Sequence, residues 1–118
     1  MSTQSEQLRD RTKAFALRIV RLFRSLPRST EAQVLGKQLL RSGTSVAANY
    51  RAACRARSRA EFVAKIGVVV EEADESMLWL EMLSDAGIVA KEKLVDLANE
   101  ARQLTAIFTA SQQTAKRK

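Results

Sequence analysis

The feature that most limits what this chain can fold into is its apolar periodicity, which is helical throughout. Phe15, Ile19, Leu22 and Leu26 recur at intervals of four, three and four residues, and this spacing places them on one face of a helix. No stretch sustains the alternation of a half-buried strand, and one Pro and four Gly are too few for a turn-rich β protein. The sequence therefore predicts an all-α fold.

Capping residues and chain breakers divide this pattern into four segments. Pro27 ends the first, because proline disfavours a helical residue before it and has no N–H to donate. Capping boxes at Thr30–Gln33 and Ser58–Glu61 predict the starts of the second and third helices, and Gly87 predicts a left-handed end for the third. Because no Gly or Pro separates helices two and three, one continuous helix is the alternative.

The predicted helices cover about residues 6–26, 31–56, 59–85 and 91–113, followed by a frayed basic tail at 114–118. Four amphipathic helices with short connections predict a single domain, 1–118, folded as an antiparallel up-down four-helix bundle. In the second helix, Gly36 and Gly43 each cost about 1 kcal/mol of helix propensity relative to Ala, so we expect close packing there as compensation. We expect Ser42 and Asn49 to be hydrogen-bonded core polar residues; a ligand-binding role is the less favoured alternative.

Charge is strongly segregated along the chain. Residues 1–60 hold 13 Lys and Arg against three acids, whereas residues 61–118 hold seven against ten. The formal net charge is +7 and the pI is about 10.2. This balance fits an anionic partner, with a merely solvated surface as the alternative.

The basic residues of the second helix form a strip opposite its apolar stripe. At about 100° per residue, the strip is about 80° wide, and it spans about 27 Å at a rise of 1.5 Å per residue. Few aromatic residues accompany it, so base stacking is not indicated and contacts to phosphate are expected. The residues predicted to contact nucleic acid are Arg18, Arg21, Lys37, Arg41, Arg51, Arg55, Arg57 and Arg59.

The third helix carries apolar residues on its outer side as well as its inner side, which predicts a second buried surface. We expect self-association there, with acids of one subunit facing arginines of the next. The alternative is that Trp79 caps one end of the core of a monomer. The residues predicted to form the oligomer interface are Val68, Glu72, Glu75, Trp79 and Met82.

Catalytic and metal-binding constellations are missing from the sequence. There is no histidine, the commonest general base and metal ligand, and Cys54 alone can form neither a zinc site nor an internal disulfide. A magnesium site at the acids of residues 71–75 is disfavoured, because adjacent helical positions point in different directions. We therefore predict a protein that is not an enzyme and has no cofactor or metal.

No apolar run approaches the roughly 20 residues of a membrane span, and the polar N-terminus is unlike a signal peptide. We therefore expect a cytoplasmic protein. Peripheral binding to anionic membranes is disfavoured, since the basic strip lacks bulky apolar residues.

Several short elements in helices two and three occur in a specific order: Gln38-Leu39, Arg41-Ser42, Ser45, Ala48-Asn49, Ser58, Glu61-Phe62, Glu72-Ala73-Asp74-Glu75 and Trp79-Leu80. In them the chain resembles the bacterial 23S rRNA intervening-sequence proteins. That resemblance implies an antiparallel four-helix bundle, a ring-shaped homopentamer and no established enzymatic activity. Similar accessory variability determinant proteins of diversity-generating retroelements bind nucleic acid and a reverse transcriptase. Relatives usually carry acids at the positions of Ala52 and, often, Arg57, so this region is unusually basic here.

The sequence thus predicts a non-enzymatic homo-oligomer that binds RNA or DNA through backbone phosphates. A protein adaptor that docks an acidic partner, such as a polymerase or reverse transcriptase, is the alternative.

Overall fold

The computed structural model describes residues 3–118 and has the predicted four-helix architecture: α1 Gln4–Ser25, α2 Thr30–Cys54, α3 Arg59–Asp85 and α4 Lys91–Arg117. No strand occurs over these residues. Helices adjacent in sequence pack on one another, whereas α1 and α4 share the smallest interface. Short connections make these neighbours antiparallel, which confirms the four-helix bundle. The bundle measures 47 × 27 × 20 Å.

Within the described part of the chain, no helix is both long enough and apolar enough to cross a membrane. Met1 and Ser2, which the predicted domain included, lie outside the described residues.

The start of α2 differs from the prediction by one residue. Ser29, not Thr30, is the N-cap, and its Oγ accepts a hydrogen bond from the Ala32 N–H at 3.4 Å. The Gln33 amide donates to the Pro27 carbonyl at 2.8 Å rather than to a capping residue. The predicted capping box at Thr30 is therefore wrong, because the extended residue that precedes the first helical turn is Ser29.

The break between α2 and α3 is confirmed. Ser58 Oγ accepts from the Glu61 N–H at 3.0 Å, and the Glu61 carboxylate accepts from the Arg57 N–H at 3.3 Å. Just beyond the C-terminus of α3, Gly87 has φ 72°, the left-handed conformation predicted for this position.

The end of α4 corrects the expected frayed tail, since the helix continues to Arg117. Part of the reason is contact with α3, where Gln112 Nε2 donates to the Val63 carbonyl at 3.1 Å. The last turns of α4 therefore lie beside the first turns of α3, at the same end of the bundle.

The expected close packing of α2 is confirmed at both glycines. A Cβ on Gly36 would lie 2.5 Å from Leu26 Cδ1, and one on Gly43 would overlap the side chain of Ile19. Ser42 Oγ lies 2.9 Å from Ser76 Oγ, and both serines are buried. The largest fully buried apolar side chains come from all four helices: Phe15, Ile19, Leu39, Val46, Ile66, Val69, Leu80, Leu83, Leu104 and Phe108.

Candidate nucleic-acid interface

Cationic side chains gather on the outward sides of α1 and α2 and on the turn before α3. The contacts of Gly36 and Gly43 with α1 place these two helices side by side, so their outward sides form adjoining surfaces. We call this surface the basic face. Of the residues predicted to contact nucleic acid, it contains the exposed Arg21, Lys37, Arg51, Arg55, Arg57 and Arg59. Half-buried Arg18 lies instead on the side of α1 that faces α4, where its charge acts on Glu100.

Arg41 is engaged by α3 and differs in this from the other predicted residues. Its Nη1 donates to Glu72 Oε2 at 3.1 Å, and its Nη2 is paired with Glu75 Oε2. Of the eight predicted residues, only Arg41 forms an ion pair within residues 3–118. Two carboxylates on one guanidinium leave this spot without a positive surplus, so Arg41 adds little to the basic face.

The pairing of Arg41 follows from the register between α2 and α3. The Ser42–Ser76 contact sets these antiparallel helices opposite each other, which brings the preceding arginine within reach of α3. A helical wheel considers one helix at a time, and on it Arg41 points outward. The sequence alone therefore could not predict that the long Arg41 side chain reaches the neighbouring helix.

The residues predicted to form an oligomer interface occupy unequal environments. Trp79 is half-buried against the core, and its Nε1 donates to Glu75 Oε2 at 2.9 Å. Val68 is half-buried as well, whereas Met82 is 39 % exposed. Glu72 and Glu75 are engaged by Arg41 of their own chain. Met82 is the most exposed residue of this predicted surface.

Two exposed apolar residues, one on α1 and one on α2, were not predicted from the sequence. Leu17 is 42 % exposed and Val34 is 55 % exposed. Leu17 lies one turn before Arg21, and Val34 lies one turn before Lys37, so each shares a side of its helix with a cation. This spacing in the sequence could have identified both residues. It shows that the basic face also carries apolar side chains.

An ion pair also joins α1 to α4. Arg11 Nε and Nη2 donate to the two carboxylate oxygens of Glu100 at 2.8 and 2.7 Å, and Nη2 also donates to Gln103 Oε1 at 2.8 Å. The hydrogen bonds from Arg11 lower the pKa of Glu100, with a smaller contribution from the charge of Arg18. Arg11 is thus occupied within the bundle, like Arg41.

A pocket of about 890 Å³ opens at the end of the bundle where α1 and α3 begin and α2 and α4 end. Its apolar walls include Leu8, Phe62 and Ile107, with Tyr50 and Cys54 beside them. The cations among its lining residues are Arg9, Arg59 and Lys118, and none of these lining residues is acidic. We call this cavity the end pocket.

Tyr50 contributes a largely buried wall to the end pocket. Its ring packs against Phe108 with centroids 4.9 Å apart. Burial raises the pKa of Tyr50, and the neighbouring Cys54 thiol raises it further. The phenol therefore stays neutral at physiological pH.

A second groove, of about 900 Å³, lies between α3 and α4 and has a different charge. Exposed Leu78 and Val95 lie in it, 46 % and 44 % exposed. Its charged lining residues are the acids Asp74, Glu81 and Asp85 and the bases Lys91 and Arg102. We call it the acidic groove; among residues 3–118 no group of three or more metal-ligating side chains is placed to hold an ion.

Comparison with known proteins gives one family and a closely similar fold. The family model described as 23S rRNA-intervening sequence protein matches residues 5–110. A crystal structure of a protein of unknown function from the S23 ribosomal protein family of Bacteroides thetaiotaomicron is similar with a TM-score of 0.87. The two sequences are 32 % identical, and the match covers 94 % of this chain and 99 % of the other. No curated protein matches this chain.

Proposed function

This chain belongs to the 23S rRNA-intervening sequence protein family, and we propose that it is a non-enzymatic, homo-oligomeric protein that binds RNA or DNA through backbone phosphates. The observation that carries the proposal is the basic face. Its cations are exposed on α1, on α2 and on the turn before α3, and they form no ion pair with any acid among residues 3–118.

The chemistry of the basic face suits a polyanion of extended shape. Five of its six named cations are arginines, whose planar fork binds phosphate oxygens in pairs. From Lys37 to Arg55, α2 extends about 27 Å, and a duplex presents a phosphate on each strand about every 3.4 Å. Since Arg41 is engaged by α3, the cations of α2 lie at its two ends. A single bundle can thus meet phosphates that are well separated along a strand, with little reading of sequence.

The decisive experiment is a salt titration of binding to mixed-sequence duplex. We expect affinity to fall steeply between low and moderate salt, since each neutralised phosphate releases counterions. The double variant Arg51→Gln/Arg55→Gln should lower the slope of log Kd against log salt by about 1.8, or about 0.9 for each phosphate that is no longer neutralised. Fluorescence anisotropy measures both.

The matched control is Lys91→Gln/Arg102→Gln, which removes the same charge from the acidic groove of α4. It should leave the slope close to that of the unaltered protein. Affinity that stays flat with salt, or an equal decrease of slope in both double variants, would contradict binding through the basic face.

The exposed apolar side chains on the basic face favour a second candidate function, docking of an acidic protein such as a polymerase or reverse transcriptase. Leu17 and Val34 would contribute little to a phosphate backbone but would pack against a protein surface. A complex that survives nuclease treatment and is abolished by Leu17→Ser supports this role. Loss of the complex on nuclease treatment alone contradicts it.

Self-association through α3 is part of the main proposal. Exposed Leu78 and Met82 lie on the outer side of this helix, and apolar side chains so placed become buried when subunits meet. Since Glu72 and Glu75 already hold Arg41, the contact we propose is mainly apolar. The homopentamer implied by the family resemblance is the assembly we propose.

A further inference from the structure

The end pocket combines features that a simple phosphate-binding surface does not need. We propose that it receives an unpaired base of a single-stranded nucleic acid, with the adjoining phosphate on Arg59; this inference rests on the proposed function. The pocket lies beside the turn that carries Arg55 and Arg57, so a strand on the basic face meets it without leaving the cationic surface.

The walls of the pocket suit a flat, largely apolar body. Leu8, Phe62 and Ile107 line it, and Phe62 is half-buried, so part of its ring remains available for stacking. Its volume of about 890 Å³ is within the roughly 300–1,000 Å³ of small-molecule sites. Base stacking on an aromatic ring is tolerant of sequence, since every base has a π-face.

The rim of the pocket suits the phosphate of the same nucleotide. Arg59 lies one turn before Phe62 on α3, and both line the pocket. Residues three apart on a helix have Cβ atoms about 5–6 Å apart, so stacking and phosphate contact can occur together.

Charge distinguishes the end pocket from the acidic groove. The end pocket has Arg9, Arg59 and Lys118 and no acidic lining residue, whereas the acidic groove has three acids for two bases. A nucleotide is therefore attracted to the former and not to the latter. A paired base lies within its stack and cannot enter, so the ligand is a single strand or an unpaired loop.

The test compares a short mixed-sequence single-stranded DNA and RNA with the blunt duplex of the same sequence. We expect Phe62→Leu to weaken single-strand binding by about fivefold or more, because stacking on the ring is removed, and to leave duplex binding unchanged. Phe23→Leu is the matched control: it makes the same change at a half-buried ring on the same core, outside the lining of the end pocket.

A surface variant keeps the test valid if Phe62→Leu is poorly folded. Ala110 is exposed and lines the end pocket, whereas Ala106 is exposed one turn earlier and does not. Ala110→Glu should weaken single-strand binding more than Ala106→Glu, since only the former places a carboxylate at the pocket.

The outcomes separate this inference from the proposed function. Salt-dependent binding of single strand and duplex that is equally insensitive to Phe62→Leu and Ala110→Glu overturns the pocket and leaves the basic face standing. Absence of binding to either nucleic acid at low salt overturns both. A single-strand preference that disappears in both pocket variants supports the pocket.

Discussion

Gly43 shows how much the packing of α1 against α2 depends on a single missing methyl group. The added Cβ of an alanine would overlap Ile19, which is fully buried in the core. At Gly67 on α3 the nearest atom is only the end of the Gln112 side chain, 2.9 Å away, and that amide can turn aside if it gives up its hydrogen bond to the Val63 carbonyl. The two glycines therefore differ in how well they tolerate a side chain.

We predict that Gly43→Ala lowers the free energy of unfolding, because overpacking of about 1–3 kcal/mol exceeds the gain in helix propensity of about 1 kcal/mol. Gly67→Ala should be close to neutral, because the gain in helix propensity of about 1 kcal/mol offsets the loss of the Gln112–Val63 hydrogen bond, about 1 kcal/mol. Urea unfolding followed by circular dichroism measures both. Equal effects in the two variants would contradict this prediction, because they would show that Ile19 can move away from the added Cβ without destabilising the protein.

At the scale of helices, the smallest interface, between α1 and α4, includes an ion pair. Arg11 of α1 and Glu100 of α4 form this pair, and Arg11 also donates to Gln103. The helix boundaries could be predicted without knowing how the helices pack, because Pro27, Ser58 and Gly87 act on the backbone next to them. Neither the Arg11–Glu100 pair nor the pairing of Arg41 could be predicted, since each depends on how two helices are aligned.

We predict that Glu100→Gln lowers the free energy of unfolding at neutral pH by up to about 1 kcal/mol, the range for partly exposed ion pairs. Arg11 lowers the pKa of Glu100 from its ordinary value of 4.5. The stabilisation by Glu100 is therefore present above that value and is lost as pH falls through the folded-state pKa. The difference in the free energy of unfolding between Glu100→Gln and the unaltered protein should therefore disappear in acid.

Urea unfolding at a series of pH values provides the measurement. Asp96→Asn, one turn earlier on α4 and exposed, is the control and should show no such difference. A difference for Glu100→Gln that persists unchanged in acid would mean that the ion pair is not its cause.

On the scale of the whole molecule, positive and negative charges are concentrated on different helices, whereas exposed apolar residues occur on all four. The basic face belongs to α1, α2 and the following turn, while most acids belong to α3 and α4. Leu17 and Met82 have similar exposures, 42 % and 39 %, but lie on the basic face and on the outer side of α3, respectively. This pair allows the proposed subunit contact to be tested against an equivalent substitution elsewhere.

We predict that Met82→Glu lowers the mass in solution, because a carboxylate would be buried in the proposed apolar contact. Leu17→Glu should leave the mass unchanged. Light scattering after size exclusion measures both. A monomeric mass for the unaltered protein, or the same decrease in both variants, contradicts self-association through α3.

The sequence by itself determined four helices, the break at Ser58 and the gathering of positive charge in residues 1–60, because periodicity, capping and composition are properties of neighbouring residues. Only the tertiary structure decided that Arg41 is held by α3 and that Tyr50, Phe62 and Arg59 line one pocket. These contacts join separate helices, and their register is set by packing across the core.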